Sequence, residues 1–474
     1  MKMFKVLLST VLLASMILGL VGCGDSKEVV TTGDTTTTAD GTVTTDASGS
    51  TTDEAITLKF TYWGSPDEKA AIEAACAAFT ELNPNITVEA IQIPNADYNA
   101  KLTAMAASDD SPDAGYMTAD LGETCSKEGK FVNIFEKLDQ DPNMSKDDYL
   151  DYIWFNVSPD NAWGVATAGE CFGLYYNKDA LSAAGVDSLP TTAETALSWD
   201  AFVELAQKCT LDSDGNNALD SAFDPENIVQ YGVMFETWND PISNFIYSNG
   251  GSWTSEDGSE LTVNSPEAAE AIQRLADLIN VYHVAPNPVA AKSLPGMSVA
   301  LQNSLTAMAV GGQWINLDLG NAAVNYDIGV LPAMEKSVTI GLSGASVVFK
   351  DSKHPEEAWE LFKFMSNPAG AIDLYKGGLW MPILKAWYED PELLAQWVDA
   401  NPAAHPAGFK EAMVDQLLAN GVPSATFYLK NQAKLVPIVT AAWDEVWLGN
   451  KTAAEALSDI ADQAAAEYEG RYDK

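Results

Sequence analysis

Strand and helix signals alternate from Ala55 onward, and no other feature of the chain restricts its fold as much. Ile56, Leu58, Phe60 and Tyr62 alternate with Thr57, Lys59 and Thr61, the two-residue period of a strand. Gly64-Ser65-Pro66-Asp67-Glu68 then turns the chain into a helix. Ser65 is a favourable N-cap, Pro66 suits the first helical position, and Glu68 is expected to complete a capping box. Ile72, Cys76 and Phe79 give that helix an apolar face, and Asn83-Pro84 ends it. A strand from Ile86, a helix around Leu102 to Ala106, a strand near Ala114 to Met117 and a helix closing at Gly129 continue the alternation. This pattern predicts an α/β chain with helices on both faces of a sheet.

The same grammar returns downstream. Ser198-Trp199 opens a helix with Phe202, Leu205 and Cys209 inward, and Ser265-Pro266 opens another with Ile272, Leu275, Ile279 and Tyr282 on one stripe. Pro355 opens a third through Trp359, Phe362 and Met365, and the tail repeats the spacing at Leu457, Ile460, Ala464 and Tyr468. Trp199, Trp359 and Trp443 fall on such stripes and are expected to pack in the core.

The N-terminus carries a different signal. Met1-Lys2-Met3-Phe4-Lys5 precedes an apolar stretch from Val6 to Val21 interrupted by Ser9, Thr10 and Ser15, which reads as a secretory leader rather than a spanning helix. It ends Leu20-Val21-Gly22-Cys23, similar to the lipobox of bacterial lipoproteins, so residues 1–22 are expected to be removed and Cys23 to take a diacylglyceryl group. Two acyl chains anchor stably where one does not. Residues 23–54 are Thr, Asp, Gly and Ser with almost no large apolar residue, a composition that cannot bury enough surface to fold. Behind an anchor it reads as a tether.

The chain has 474 residues and a formal net charge of −41, which becomes −43 when the leader takes Lys2 and Lys5 with it. So few basic groups argue against nucleic acid and against an electrostatic hold on an anionic membrane. Cys76, Cys125, Cys171 and Cys209 remain in the mature chain, and spacing alone does not pair them. His283, His354 and His405 have no metal-spaced partner, and the motifs of zincins, Walker loops, dinucleotide turns and nucleophile elbows are missing. Asp212-Ser213-Asp214-Gly215-Asn216, continuing to Asp220, has oxygen ligands in alternation like a calcium loop, but Phe223 stands where a bidentate Glu belongs. A solvated turn is the expectation there. No catalytic residue, metal or cofactor is assigned.

Several segments resemble the family 1 extracellular solute-binding proteins of bacterial ABC importers, the maltose-binding-protein-like group. These are the strand–Trp63-Gly64-Ser65–helix opening, Asp113 to Ile134, Gly173-Leu174-Tyr175-Tyr176-Asn177-Lys178-Asp179 and Asn249-Gly250-Gly251. Ala307-Met308 with Gly311-Gly312-Gln313-Trp314, and Tyr326-Asp327-Ile328-Gly329-Val330-Leu331-Pro332, follow in family order. The resemblance implies a two-lobe periplasmic-binding-protein-like fold of type II, with discontinuous lobes joined by a hinge: residues 55–168 and 332–375 in the N-terminal lobe, 169–331 and 376–474 in the C-terminal one. It implies a sugar, mono- or oligosaccharide, trapped between the lobes and delivered to ABC permease subunits by a monomer outside the cell membrane. The residues it nominates for the cleft are Trp63, Asp120, Glu170, Trp238, Trp314, Trp380 and Tyr428. Met117 stands where the maltose binder has Trp. The residue types suit the chemistry, because aromatic rings cover the apolar face of a pyranose and carboxylates accept from its hydroxyl rim. A surface glycan-active enzyme, and the same fold holding a cationic solute such as a polyamine, are the alternatives.

Overall fold

The computed structural model describes residues 55–108 and 110–474. The leader, Cys23 and the tether lie outside the described residues. The strands, in chain order, are β1 (Ile56–Tyr62), β2 (Ile86–Gln92), β3 (Ala114–Met117), β4 (Trp154–Ser158), β5 (Asn161–Ala166), β6 (Phe172–Asn177) and β7 (Leu211–Asp212). They continue with β8 (Ile228–Met234), β9 (Thr306–Gly312), β10 (Tyr326–Gly329), β11 (Thr339–Gly341), β12 (Ala345–Val348) and β13 (Gly421–Pro423).

Two sheets organise two lobes. The first has six strands in the order β2-β1-β3-β12-β5-β4, and the second has five in the order β10-β6-β9-β8-β7. β1 pairs parallel with both β2 and β3, so the turns after these strands share one edge of the sheet. β12 arrives from beyond the second sheet in sequence and inserts antiparallel between β3 and β5. The first lobe is therefore built from separated stretches of chain.

The chain passes from first sheet to second through Thr167–Cys171 and returns through Gly341–Gly344. These crossings pair with each other. Glu170 and Leu342 form an antiparallel bridge, Leu342 N donates to Glu170 O at 3.0 Å, and Thr167 N donates to Gly344 O at 2.9 Å. The Gly341-Leu342-Ser343-Gly344 run is thus a hinge strand. Past residue 376 the chain does not stay with the second lobe as expected. Leu150 N donates to Ile383 O and Gly169 N to Met381 O, both at 2.9 Å, and Lys385 N donates to Asp148 O at 2.9 Å. These backbone bonds hold 381–385 against the first lobe. The helices Gln432–Trp447 and Ala453–Glu467 pack on Pro266–Asn280 in the second.

Local signals predict these elements well. Ser65, Ser198 and Ser265 each cap their helix through the side-chain oxygen, satisfying one of the donors a helix start leaves free. Trp199, Trp359 and Trp443 are buried as expected. The four described cysteines are all free thiols. The turn after Asp212 is solvated as expected, with Ser213, Asp214, Gly215, Leu219 and Asp220 exposed; Asp212 itself is buried, and its carboxylate accepts from Asp214 N, Asn216 N, Asn216 Nδ2 and Asp224 N at 2.8–3.0 Å. Those N–H donors occupy the Asp212 oxygens that the calcium reading would have used.

Candidate functional site

A cleft of about 820 Å3 lies between the lobes. The first lobe supplies the turn after β1 (Trp63, Gly64, Ser65, Glu68) and the end of β3 (Tyr116, Thr118, Asp120). The second lobe supplies Glu236 to Asp240 after β8, and Trp314 and Asp318 after β9. Thr167, Glu170 and Leu342–Gly344 from the crossings close the floor. β1, β3, β8 and β9 deliver their carboxyl-terminal ends to this one space, where ligands meet an α/β sheet.

Glycines set the rings. A Cβ on Gly344 would sit 2.6 Å from Trp63 Cζ2, so only glycine lets that indole lie against the hinge strand. Tyr98 and Tyr116 hold the ring from two sides, edge to face, with centroids at 4.8 and 5.0 Å. In the second lobe the Trp314 ring lies over Gly312, where a Cβ would collide with it. Its other neighbour is Phe172, edge to face at 5.7 Å. Trp238 Nε1 donates to Glu236 at 2.7 Å. Trp380 is 2 % exposed, packs on Tyr116 and Tyr375, and still contributes to the wall.

Glu68 behaves differently from the sequence expectation. Ser65 Oγ accepts from Glu68 N, but the Glu68 carboxylate does not return the bond to complete a capping box. It turns into the cleft and accepts from Tyr116 Oη at 3.4 Å. Its carboxyl fills the space that a side chain on Gly64 would take. Burial pushes Glu68 up to about 8, against the bond from Tyr116, with Asp318 adding to the rise. Glu170 is raised to about 8 as well, by burial first and then by the charge of Glu68. Burial also lifts Asp240 to about 7, although Ser424 Oγ and Asn239 Nδ2 donate to it at 2.7 and 2.9 Å. Asp318 is raised by burial, and it accepts from Ser65 Oγ of the opposite lobe at 2.9 Å and from Ser298 Oγ at 3.3 Å.

Trp63, Asp120, Glu170, Trp238, Trp314 and Trp380 all line this cleft. Tyr428 does not. It is buried under the Arg471 guanidinium, 3.7 Å from its ring centroid, and its hydroxyl meets Tyr247 Oη at 3.0 Å. The C-terminal tail covers it, and no local pattern around residue 428 announces that contact. Asp120 is exposed at the rim and accepts from Asn99 Nδ2 at 3.1 and 3.3 Å. Tyr116, Glu68, Asp240 and Asp318 were not nominated from sequence. Asp318 had a usable signal, lying one helical turn after Trp314 on the segment Ile315–Asn321.

A family model described as bacterial extracellular solute-binding protein matches residues 63–372. The chain belongs to this family. It is similar to YcjN of Escherichia coli (strain K12), described as an ABC transporter periplasmic-binding protein, with 24 % identity over 351 residues, 70 % of this chain and 74 % of that one. Among solved structures it resembles the ABC substrate-binding protein Lmo0181 from Listeria monocytogenes in complex with cycloalternan. The TM-score is 0.73 at 22 % identity, covering 87 % of this chain and 98 % of that one. It also resembles an ABC transporter solute-binding protein from Thermotoga lettingae TMO bound with alpha-D-tagatose, at TM-score 0.71 and 20 % identity, covering 87 % and 99 %. Family and fold together identify an extracytoplasmic substrate-binding protein of an ABC transporter with the two-lobe α/β architecture. Among the described residues, no helix of this solute-binding protein is long and apolar enough to cross a membrane.

Proposed function

We propose that this substrate-binding protein captures a sugar, mono- or oligosaccharide, in the cleft and presents the closed complex to the membrane subunits of its importer. The observation that carries this reading is the pairing of surfaces within one cavity. Indole faces of Trp63, Trp238 and Trp314 stand beside carboxylates of Asp120, Glu170 and Asp240. A pyranose needs both, an apolar surface for its C–H face and acceptors for its hydroxyl edge. The structural relatives bound to cycloalternan and tagatose support the same class of solute. Closure follows from contacts that a solute makes with both lobes at once. Lipidation of Cys23, with residues 23–54 as tether, would keep the receptor beside its permease.

A thermal-shift screen of neutral, amino and acidic sugars tests the reading. A cognate sugar at about 100 times its Kd adds about 2.7 kcal/mol of stability and shifts Trp fluorescence. Release of product from a panel glycan would instead establish an enzyme. Mass spectrometry of the N-terminal peptide tests the anchor, which predicts a diacylglyceryl mass on Cys23 and its loss in Cys23→Ser.

A further inference from the structure

The cleft is acidic on every side and has no counter-charge of its own. Glu68 and Asp120 enter from the first lobe, Glu236, Asp240 and Asp318 from the second, and Glu170 from the hinge. Among the described residues no lysine, arginine or histidine lines the cleft, and none of these carboxylates forms an ion pair. Their partners are neutral donors, the hydroxyls and amides of Ser65, Ser298, Ser424, Tyr116, Asn99 and Asn239 and the indole N–H of Trp238.

A second observation concerns how the lobes meet. Ser65 Oγ bonds Asp318 directly across the cleft at 2.9 Å, so the lobes touch at this point. Here Glu68 faces Asp318 from the opposite lobe and Glu170 from the hinge, and each of these neighbours raises the cost of ionising another. Like charges brought together out of water cannot all stay ionised unless something positive comes between them. The aromatic walls add to the preference, since an indole face attracts a cation.

We infer that the solute this cleft takes carries a protonated amine, which under the sugar reading makes it an amino sugar, single or oligomeric, and not a uronate or a phosphorylated sugar. The inference rests on the proposed sugar function for its ring and on the charge of the cleft for its amine. A neutral sugar leaves the facing carboxyls protonated and uncharged, whereas a protonated amine lets them ionise and pair with it. An anionic sugar adds to the repulsion.

The test is calorimetric titration of the full-length protein with matched sets. D-glucosamine, D-galactosamine and short glucosamine oligomers are each compared with the N-acetylated and the hydroxyl counterpart. Galacturonate oligomers and spermidine complete the set. The expected result is roughly tenfold or tighter preference for the amine over both counterparts, and no heat from the uronates. Glu170→Gln should weaken the amine by a larger factor than the neutral counterpart, with a melting curve verifying the fold; an equal loss for both would overturn the charge assignment. Equal or tighter binding of a neutral member, or any uronate binding, overturns the inference while leaving the sugar function standing. Spermidine binding without sugar binding overturns the sugar function while supporting the charge assignment. No heat from any amine at millimolar concentration overturns the inference.

Discussion

Gly344→Ala isolates the part Trp63 plays in the cleft without removing the ring. The new Cβ would lie 2.6 Å from Cζ2 and 2.7 Å from Cη2 of Trp63. Carbon contacts settle at about 3.5–4.0 Å, so the indole has to move by about 1 Å. Tyr98 and Tyr116, packed at 4.8 and 5.0 Å, restrict where it can go. A gap of about 0.5–1 Å forfeits a quarter to a half of a dispersion contact, and an aromatic face contact is worth about 0.5–1.5 kcal/mol. The expected loss is therefore up to about 0.7 kcal/mol, a two- to threefold weaker Kd. Trp63→Ala removes the whole face and should cost roughly tenfold. Because both act through one ring, the double variant should bind no more weakly than Trp63→Ala alone. The assay is calorimetric titration with the best-stabilising sugar of the thermal screen, on variants whose melting curves remain cooperative. An equal loss from Gly344→Ala in the Trp63→Ala background would show that the effect bypasses the ring. Unchanged affinity in folded Gly344→Ala would remove Trp63 from the wall of the site.

Trp314→Ala should weaken sugar binding by over roughly tenfold and diminish the ligand-induced change in fluorescence; intact affinity would take that ring out of the site. Unliganded stability should fall as pH rises from about 5 to about 8. Glu68 and Glu170 are raised to about 8 from 4.5, so the native state holds protons in that window which the unfolded chain has released. Glu68 faces Tyr116, Asp318 and Glu170, and Glu170 faces Tyr116, Ser343 and Glu68; the double Gln variant should flatten a melting temperature profile measured across that range. Glu123, 3 % exposed, accepts from Asn431 N, Gln432 N and Tyr472 Oη, so Glu123→Ala should lower unfolding free energy by about 3 kcal/mol in a denaturant titration. Tyr428→Phe should leave sugar affinity unchanged and cost about 1 kcal/mol of stability through the lost Tyr247 bond.

Elements were legible in the sequence where local chemistry determines them. The period of Ile56–Tyr62 and the caps at Ser65, Ser198 and Ser265 are statements about neighbours in the chain, and they agree with the structure. The lining of the cleft was legible where a ring follows a glycine-rich strand end, as at Trp314. Glu68 was misread because its spacing from Ser65 fits a cap equally well, and only the presence of Tyr116, from another strand, draws the carboxylate away. Asp240 depends on Ser424, far along the chain, and Tyr428 on a tail that folds back over it. Such partners meet only after the lobes assemble. The path of 381–385 back to the first lobe rests on backbone bonds to 148–169, which carry no side-chain signature.

Glu170 has two positions at once. It lies on the strand about which the lobes turn, bridged to Leu342, and it lines the floor of the cleft. A solute that engages it bears on the axle rather than on the end of a lever. Under the proposed function no relay of side chains has to carry news of occupancy outward, because the group that would meet the cargo and the joint between the lobes share one residue. Small changes at this position should therefore alter how readily the receptor shuts even for solutes that it binds with unchanged contacts elsewhere.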